Sequence, residues 1–272
     1  MSYRSFKQEV VSAHIQTELE KDLVLAKGCN MEFEGEAKLG GQVRIPNLGR
    51  PTISTYSGSV SSPEDVPESD TLLTLDQASY FNYKIKDIDK AFAAHDFSGL
   101  LLSEAKAAMA EKIDSYVATM AKEAKGAMVA SSAAYTTADG AYAALKAGLL
   151  KLRKNNVSKK TDIFCDISWD LYQLLVDKFT NIDTDNSDAV RRGAIKQMMG
   201  VYFRPTNLLY NDTTDDYIML RTVKAISFAH GITEVEPYRV ENDFSDAVKG
   251  LDVYGAKVTR PKELYVIKAH YA

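Results

Sequence analysis

The chain has 272 residues; 45% are apolar, 26% are charged and the formal net charge at pH 7 is −4. This apolar share predicts a globular protein with a real core, formed by one large domain or two intertwined ones. The weakly negative charge argues against a protein that holds nucleic acid by neutralising its phosphates. The sequence has no run of about 18 apolar residues that would predict a membrane-spanning helix, and its N-terminus lacks the apolar segment of a secretory signal.

The N-terminal region predicts a helix followed by a strand. Over residues 3–23, apolar residues recur at roughly helical spacing between charged ones, as in an amphipathic helix. Further on, Val43 and Ile45 alternate with polar residues, which indicates a strand. Because Pro46 and Pro51 cannot donate to a strand ladder, this strand is expected at a sheet edge or with a kink.

A long alternating pattern follows a polar segment at 57–70. Apolar and polar residues alternate from Leu73 to Lys86, which predicts one strand of 14 residues. Such a strand would measure roughly 46 Å at about 3.3 Å per residue, and ordinary strands have only about 3 to 10 residues. Residues 41–86 together predict one extended hairpin with a soft polar tip.

Two helices are predicted after this hairpin. Residues 98–126 are rich in the strong helix formers Ala, Glu and Lys, with apolar residues three or four positions apart and Ser98 as the expected N-cap. A second helix is predicted over 137–154, where the basic residues at its end suit the negative pole of the helix dipole.

Residues 160–272 predict short mixed elements. "DIFCDI" indicates a strand, and the next helix is expected to start after Ser168 with Trp169 on its buried side. The segments beyond residue 197 are rich in alternating Tyr, Val and Ile, as strands are. Gly250 and Gly255 within them predict a bulge or a close backbone approach. The fold class that these elements predict is α+β.

A search for catalytic or metal-binding patterns gives no site. The histidines do not lie at metal-ligand spacing from one another or from a cysteine; they are His14, His95, His230 and His270. "DTDNSD" at 183–188 lacks the Gly and Glu that a calcium-binding EF-hand loop needs. Phosphate-binding glycine motifs and a GxSxG frame are absent. Cys29 and Cys165 are expected to be reduced and buried.

One basic run, "KLRKNNVSKK" at 151–160, has two interpretations. The simpler one is a helix end followed by a solvated loop, and the lesser alternative is contact with nucleic acid. No catalytic, cofactor-binding or metal-binding residue is therefore predicted, and an enzyme is not expected.

Four stretches carry a resemblance when they are read in order. They are "EFEGEAKLGGQVRIPNLG", "LTLDQASYFNYKIKDIDKA", "AIKQMMGVYFRPTNLL" and "FSDAVKGLDVYGAKVTRPKELYVI". In this order they resemble motifs of the major capsid proteins of tailed bacteriophages, although Pro205 and Thr206 replace a serine-type turn usual in the third. The resemblance extends over nearly the whole chain, and the order of the motifs carries it more than any single one.

The resemblance implies the Hong Kong 97 phage-like capsid fold and a division of the chain into five parts. They are an N-terminal arm at 1–39, an extended loop at 40–73, a peripheral domain with a long spine helix at 74–157, an axial domain at 158–243 and closing strands of the peripheral and axial core at 244–272. The implied function is a major capsid protein that self-assembles into the icosahedral shell around the genome of a tailed phage or prophage. An encapsulin-type bacterial compartment shell and a soluble enzyme are the alternatives.

The implied partners are copies of the same chain in hexamers and pentamers, with scaffolding and portal proteins, weakly contacted double-stranded DNA and no membrane. The implied location is the virion capsid, after synthesis in the cytoplasm of the bacterial host. Because a two-stranded ribbon is marginally stable alone, a neighbouring subunit is expected to hold its distal part. The expected interface residues are Arg44, Arg50, Tyr56, Glu64, Asp65 and Glu68.

Overall fold

A computed structural model describes most of the chain. The described residues are 25–36, 41–49, 51–58, 62–65, 68–86, 97–123, 128–129, 133–135, 137–180 and 197–271. The helix predicted over 3–23, the acidic segment 183–188, and His14, His95 and Arg50 lie outside them.

The described elements combine helices with runs of consecutive strands, in agreement with the predicted α+β class. The longer helices are α1 (Phe97–Glu123), α2 (Ala138–Lys154) and α3 (Trp169–Thr180). The strands are β1 (Gln42–Leu48), β2 (Glu68–Thr74), β3 (Gln77–Lys86), β4 (Met128–Val129), β5 (Ala133–Tyr135), β6 (Ile163–Ile167), β7 (Gln197–Met198), β8 (Val201–Pro205), β9 (Asp216–Arg221), β10 (Ile226–Arg239), β11 (Ser245–Val258) and β12 (Leu264–Tyr271). Single 3-10 turns occupy Ala26–Gly28, Val223–Ala225 and Pro261–Glu263.

The strands form three sheets of different size. β1 and β2 make a two-stranded antiparallel ribbon, and β10, β11 and β3 make a three-stranded antiparallel sheet in that order. The seven-stranded mixed sheet has the order β4-β12-β9-β6-β8-β7, with β5 also paired to β12. The described hydrophobic core lies where the helices cover the two larger sheets.

Helix α1 covers the three-stranded sheet and β9. Its buried residues recur every three or four positions, which places them on one stripe of the helix; they include Met109, Ile113, Val117 and Met120. The predicted range 98–126 agrees with the observed helix to within a few residues. Ser98 is inside the first turn and not before it, because the helix already begins at Phe97.

Helices α2 and α3 pack on the seven-stranded sheet. Thr137 caps α2, since its side-chain oxygen accepts the backbone N–H of Gly140 at 3.3 Å. Ser168 precedes α3, but its buried hydroxyl has no hydrogen-bond partner among the described residues. The prediction for Trp169 is wrong: the side chain is 52% exposed. The apolar stripe of α3 runs through Leu171 and Leu175 instead, and Trp169 begins the helix outside that stripe.

The predicted 14-residue strand is wrong, because the chain changes sheets in its middle. β2 ends at Thr74 in the ribbon, and β3 starts at Gln77 in the three-stranded sheet. At the break, the backbone N–H of Leu75 donates to the carbonyl of Gly41 at 3.0 Å and closes the ribbon. Alternation continues through the break because each half has its own buried face, and alternation alone does not show which sheet a residue joins.

The close backbone approach predicted at Gly255 is confirmed. A Cβ atom placed there would lie 2.1 Å from the carbonyl oxygen of Thr74, where the ribbon leaves the body. A Cβ at Gly250 would lie 2.3 Å from the ring of Phe81. Both positions therefore need a residue without a side chain for packing reasons.

Candidate assembly surface

Among the described residues, the ribbon of β1 and β2 is anchored at its base alone. Val43, Ile45 and Leu73 are buried and pack against Ala229 of the three-stranded sheet. The strands stay in register over seven residue pairs, from Gln42 opposite Thr74 to Leu48 opposite Glu68. β1 pairs with β2 alone among the described strands, so Pro46 lies in an edge strand, as predicted.

The distal part of the ribbon is exposed and carries apolar side chains. Ile53 is 95% exposed and Tyr56 is 72% exposed, whereas Val43 and Leu73 at the base are buried. In the described part of residues 46–72, no side chain is buried. Exposed aliphatic and aromatic groups on a projecting element are typical of a protein contact surface.

Polar contacts hold the two sides of the distal ribbon together. The carboxylate of Glu64 accepts the backbone N–H and the side-chain hydroxyl of Thr52, both at 2.9 Å. Arg44 lies 3.6 Å from Asp70 on the opposite strand, and both side chains are largely exposed. The two pairs shape the ribbon itself, and exposed ion pairs of this kind contribute about 0–1 kcal/mol each.

The predicted interface residues therefore divide into groups. Tyr56 and Asp65 lie exposed in the distal part, and Glu68 starts β2 opposite Leu48. Arg44 and Glu64 make contacts inside the chain, so neither is wholly available to a partner. Sequence reasoning missed Ile53, whose signal is a lone aliphatic residue in the polar stretch "PTISTYSG".

The outer face of the three-stranded sheet adds isolated apolar groups. Tyr80 of β3 is 80% exposed and stands opposite Leu251 of β11. Phe244, in the turn between β10 and β11, is also 80% exposed. Beside them, Lys84 pairs with Asp243 at 3.0 Å. The body of the molecule thus exposes apolar side chains besides those of the ribbon.

The segment 25–30 is fixed to the body by a buried charged cluster. Arg221 is fully buried; its Nε donates to Asp166 at 2.8 Å, and its guanidinium also donates to the carbonyls of Gly28 and Leu25 at 2.7 and 2.8 Å. From the other side, the carboxylate of Asp114 in α1 accepts the backbone N–H groups of Leu25 and Ala26. The segment is thereby joined both to the seven-stranded sheet and to the long helix.

Further contacts complete this cluster, which we call the Arg221 cluster (Leu25–Cys29, Asp114, Asp166, Arg204 and Arg221). Arg204 lies 2.6 Å from the second oxygen of Asp166. Burial raises the pKa of the Cys29 thiol, so Cys29 stays protonated at neutral pH beside the guanidinium. Burial likewise raises the pKa of Cys165. Both cysteines are free and buried, as predicted.

The described histidines pair with single carboxylates. His270 Nδ1 lies 2.7 Å from Asp215, and His230 Nδ1 lies 3.5 Å from Asp252. In the part of the chain that the structure describes, no group of three His, Cys, Asp or Glu side chains is arranged to hold a metal ion. Among the described helices, none has the length and apolar character needed to cross a membrane.

Comparisons with known proteins give matches at the level of structure. Protein-family models and curated protein sequences give no match. The chain is similar to a structure of Mycobacterium phage Che8, with a TM-score of 0.80, 26% identity and 90% of each chain covered. It is similar to the capsid structure of the cyanophage P-SCSP1u, with a TM-score of 0.71, 20% identity and 86% of this chain and 84% of that chain covered.

A third similarity is to a virus-like particle from Pyrococcus furiosus. Here the TM-score is 0.62 and the identity 12%, with 96% of this chain and 99% of that chain covered. Both the TM-score and the identity are lower than for the two phage structures. The chain therefore has the predicted fold of the tailed-phage major capsid proteins, the Hong Kong 97 phage-like fold.

Proposed function

We propose that the chain is the major capsid protein of a tailed phage or prophage and assembles into the icosahedral shell around its genome. The observation that carries the proposal is the ribbon, whose base is buried on its own sheet while Ile53 and Tyr56 stand exposed. An isolated two-stranded ribbon is marginally stable in water. A neighbouring copy of the chain would supply the surface that the distal ribbon lacks.

The fold supports a division of the chain into five structural parts. We assign the N-terminal arm to 1–39, the extended loop to 40–73, the peripheral domain to 74–157, the axial domain to 158–243 and the closing strands to 244–272. Hexamers and pentamers of the chain would form the shell, with scaffolding and portal proteins as separate partners. Synthesis would take place in the host cytoplasm, and the final location is the virion.

No catalytic role is part of this proposal. The buried charges of the Arg221 cluster bind backbone groups of their own chain, and this use accounts for their position. The encapsulin-type alternative has one supporting observation, the coverage of nearly all of both chains in the match to the Pyrococcus particle. The higher TM-scores of the phage structures favour the capsid.

Assembly is tested by electron microscopy and sedimentation of the purified chain, alone and with the proteins encoded beside its gene. We expect closed particles from the unaltered chain. We expect Ile53→Ser with Tyr56→Ser to lower particle yield several-fold without changing the melting temperature of the subunit, because the two side chains are 95% and 72% exposed.

The matched control removes polar groups from the same loop, with Ser54→Ala and Ser57→Ala at exposed positions. It should leave particle yield unchanged. A chain that stays monomeric at every concentration, with its neighbouring gene products present, would refute the capsid function. Particles that form only around an enzyme encoded nearby would support the compartment alternative.

A further inference from the structure

The basic run at residues 151–160 joins two other basic segments on the folded surface. The side-chain amide of Asn155 donates to the carbonyl of Lys262 at 3.0 Å, which places the end of α2 beside the turn at 259–263. That turn contacts the segment 222–226, since the backbone N–H of Thr222 donates to the carbonyl of Glu263 at 3.3 Å. The segments 151–162, 222–226 and 259–263 form one surface, which we call the basic surface.

The basic surface has a local charge opposite to that of the whole chain. Its segments contain eight cationic and two acidic side chains, a net charge of +6, so the rest of the chain carries −10 to give the total of −4. Seven of the cationic side chains are exposed: Lys151, Lys154, Lys159, Lys160, Lys224, Arg260 and Lys262. The net charge of the chain therefore conceals a strongly positive region.

Several of these positive charges have no acidic partner in the part of the chain that the structure describes. Among the described residues, no carboxylate lies within ion-pair distance of the ammonium groups of Lys159, Lys160, Lys224 or Lys262. Of the two acidic groups, Glu263 already binds Arg260 at 3.1 Å and the hydroxyl of Thr222 at 2.5 Å. Asp162 is the other, and it is exposed.

A simpler explanation is that the basic side chains only stabilise the C-terminal end of α2. This explanation accounts for part of the basic surface. The last carbonyls of α2 accept the backbone N–H of Asn155, and the guanidinium of Arg153 donates to the carbonyls of Val157 and Ser158. These contacts satisfy the helix end. Lys224, Arg260 and Lys262 belong to other segments, so the helix dipole does not explain them.

We infer that the basic surface binds the phosphate backbone of double-stranded DNA and is the part of the subunit that contacts the packaged genome. This inference rests on the proposed capsid function. Exposed lysines on loops contact phosphates as point charges, without reading base sequence. The negative charge elsewhere on the chain would keep the contact weak and confined to this surface, which suits DNA that must enter and leave the shell.

The test measures binding of the full-length purified subunit to a fluorescein-labelled 20-base-pair duplex by anisotropy, across a series of sodium chloride concentrations. The variant is Lys159→Gln with Lys160→Gln and Lys262→Gln. The control is Lys27→Gln with Lys86→Gln and Lys112→Gln, three exposed lysines outside the basic surface. Both changes move the formal net charge from −4 to −7, so general electrostatics are matched.

We expect the variant to bind more weakly and its plot of log affinity against log salt to become shallower by about 2 to 3 units, since each phosphate contact contributes about 0.9. The control should keep the slope of the unaltered chain. Equal slopes for variant and control, or no DNA binding by the unaltered chain at low salt, would overturn the inference.

Three further outcomes separate the possible explanations. If polyglutamate displaces the labelled duplex as effectively as unlabelled DNA does, the surface binds an acidic protein partner. That result would also overturn the inference. Closed particles with an unchanged salt slope in the variant would leave the capsid function standing and remove only the DNA contact. Absence of particles from the unaltered chain would remove the capsid function itself.

Discussion

The segment 25–30 and the distal ribbon both lie outside the two larger sheets, but the first is largely buried and the second is exposed. Arg221, Asp166 and Asp114 surround the segment, and all three side chains are buried. The ribbon beyond residue 46 has only its own strand pairing and exposed polar contacts. The first region is completed within one chain, and the second has surfaces left for a partner.

The contrast also shows that an ion pair contributes differently to stability when it is exposed and when it is buried. Arg44 and Asp70 in the ribbon form an ion pair in water, where each such pair contributes about 0–1 kcal/mol. Arg221 and Asp166 form theirs without water, so removing one partner leaves the other charge buried. Mutations that distinguish the two regions follow from this difference.

Arg221→Met should have the largest effect on the free energy of unfolding. The substitution keeps much of the side-chain volume but removes the donor to one carboxylate oxygen of Asp166 and the donors to the carbonyls of Gly28 and Leu25. We expect a loss of about 3–5 kcal/mol, the range for breaking a buried ion pair. Urea unfolding followed by circular dichroism measures it.

Arg44→Met is the matched control in the ribbon, with an expected change of at most about 1 kcal/mol. If both substitutions cost the same, segment 25–30 is no better fixed than the ribbon, and the contrast between the two regions fails.

Leu73→Ala tests the point where the ribbon changes from buried to exposed. Leu73 is fully buried at the base, and its neighbour Leu72 is 44% exposed on the other face of β2. We expect Leu73→Ala to cost about 2–4 kcal/mol, because it leaves a cavity, and Leu72→Ala to cost less than about 1 kcal/mol. Thermal melting of the two variants side by side measures the difference; similar melting temperatures would mean that the base is not anchored.

Gly255→Ala tests the backbone contact that fixes where the ribbon leaves the body. The added Cβ would meet the carbonyl of Thr74, which is backbone and cannot rotate away. We expect a loss of about 1–3 kcal/mol, as for other overpacked sites, together with lower soluble yield. Gly35→Ala is the control, since no atom lies within 4 Å of the added Cβ. If the Gly255→Ala protein has the soluble yield and urea midpoint of the control, the backbone at Thr74 moves away from the added Cβ at little cost.

The smallest expected effect concerns acid stability at Asp212. Its carboxylate accepts hydrogen bonds, chiefly from the backbone N–H of Asp215, and these hold its pKa below the ordinary value of 3.8. A lowered pKa adds stability above pH 3.8, and this stability is lost as the pH falls below it. Asp212→Asn should therefore be less stable than the unaltered chain at pH 7, with the gap closing in acid.

Asp65→Asn in the ribbon serves as the comparison for Asp212→Asn, since among the described residues no hydrogen bond to its carboxylate is found. Its stability should follow that of the unaltered chain at every pH. Urea midpoints between pH 3 and pH 7 check both variants, and a gap for Asp212→Asn that widens in acid would contradict the assigned role.

Local patterns predicted the regular elements well. The Ala, Glu and Lys content of residues 98–126 and the spacing of Met109 and Ile113 gave α1 nearly its observed bounds, because helix formation depends on neighbours three and four positions away. The start of α2 at Thr137 could be predicted equally well, since its capping hydrogen bond joins residues three positions apart.

Features that depend on distant residues could not be predicted. Arg221 contacts Gly28, 193 positions earlier, and nothing in the sequence around either residue indicates the pair. The break after Thr74 could not be predicted because β11, the strand that β3 joins, lies more than 150 residues further on. Among the predicted interface residues, Tyr56 is exposed, whereas Glu64 contacts Thr52 across the folded loop, a pairing that the local sequence does not indicate.

The position of β12 has a consequence for the timing of synthesis. The strand lies inside the seven-stranded sheet, between β9 on one side and β4 and β5 on the other. A ribosome adds about 5–20 residues per second, and a sheet built on such distant pairings can close only when its internal strand is available. Until residues 264–271 emerge, β4 and β5 have no described partner strand. A growing chain therefore cannot close the seven-stranded sheet, or the hydrophobic core beneath it, before residues 264–271 have left the ribosome.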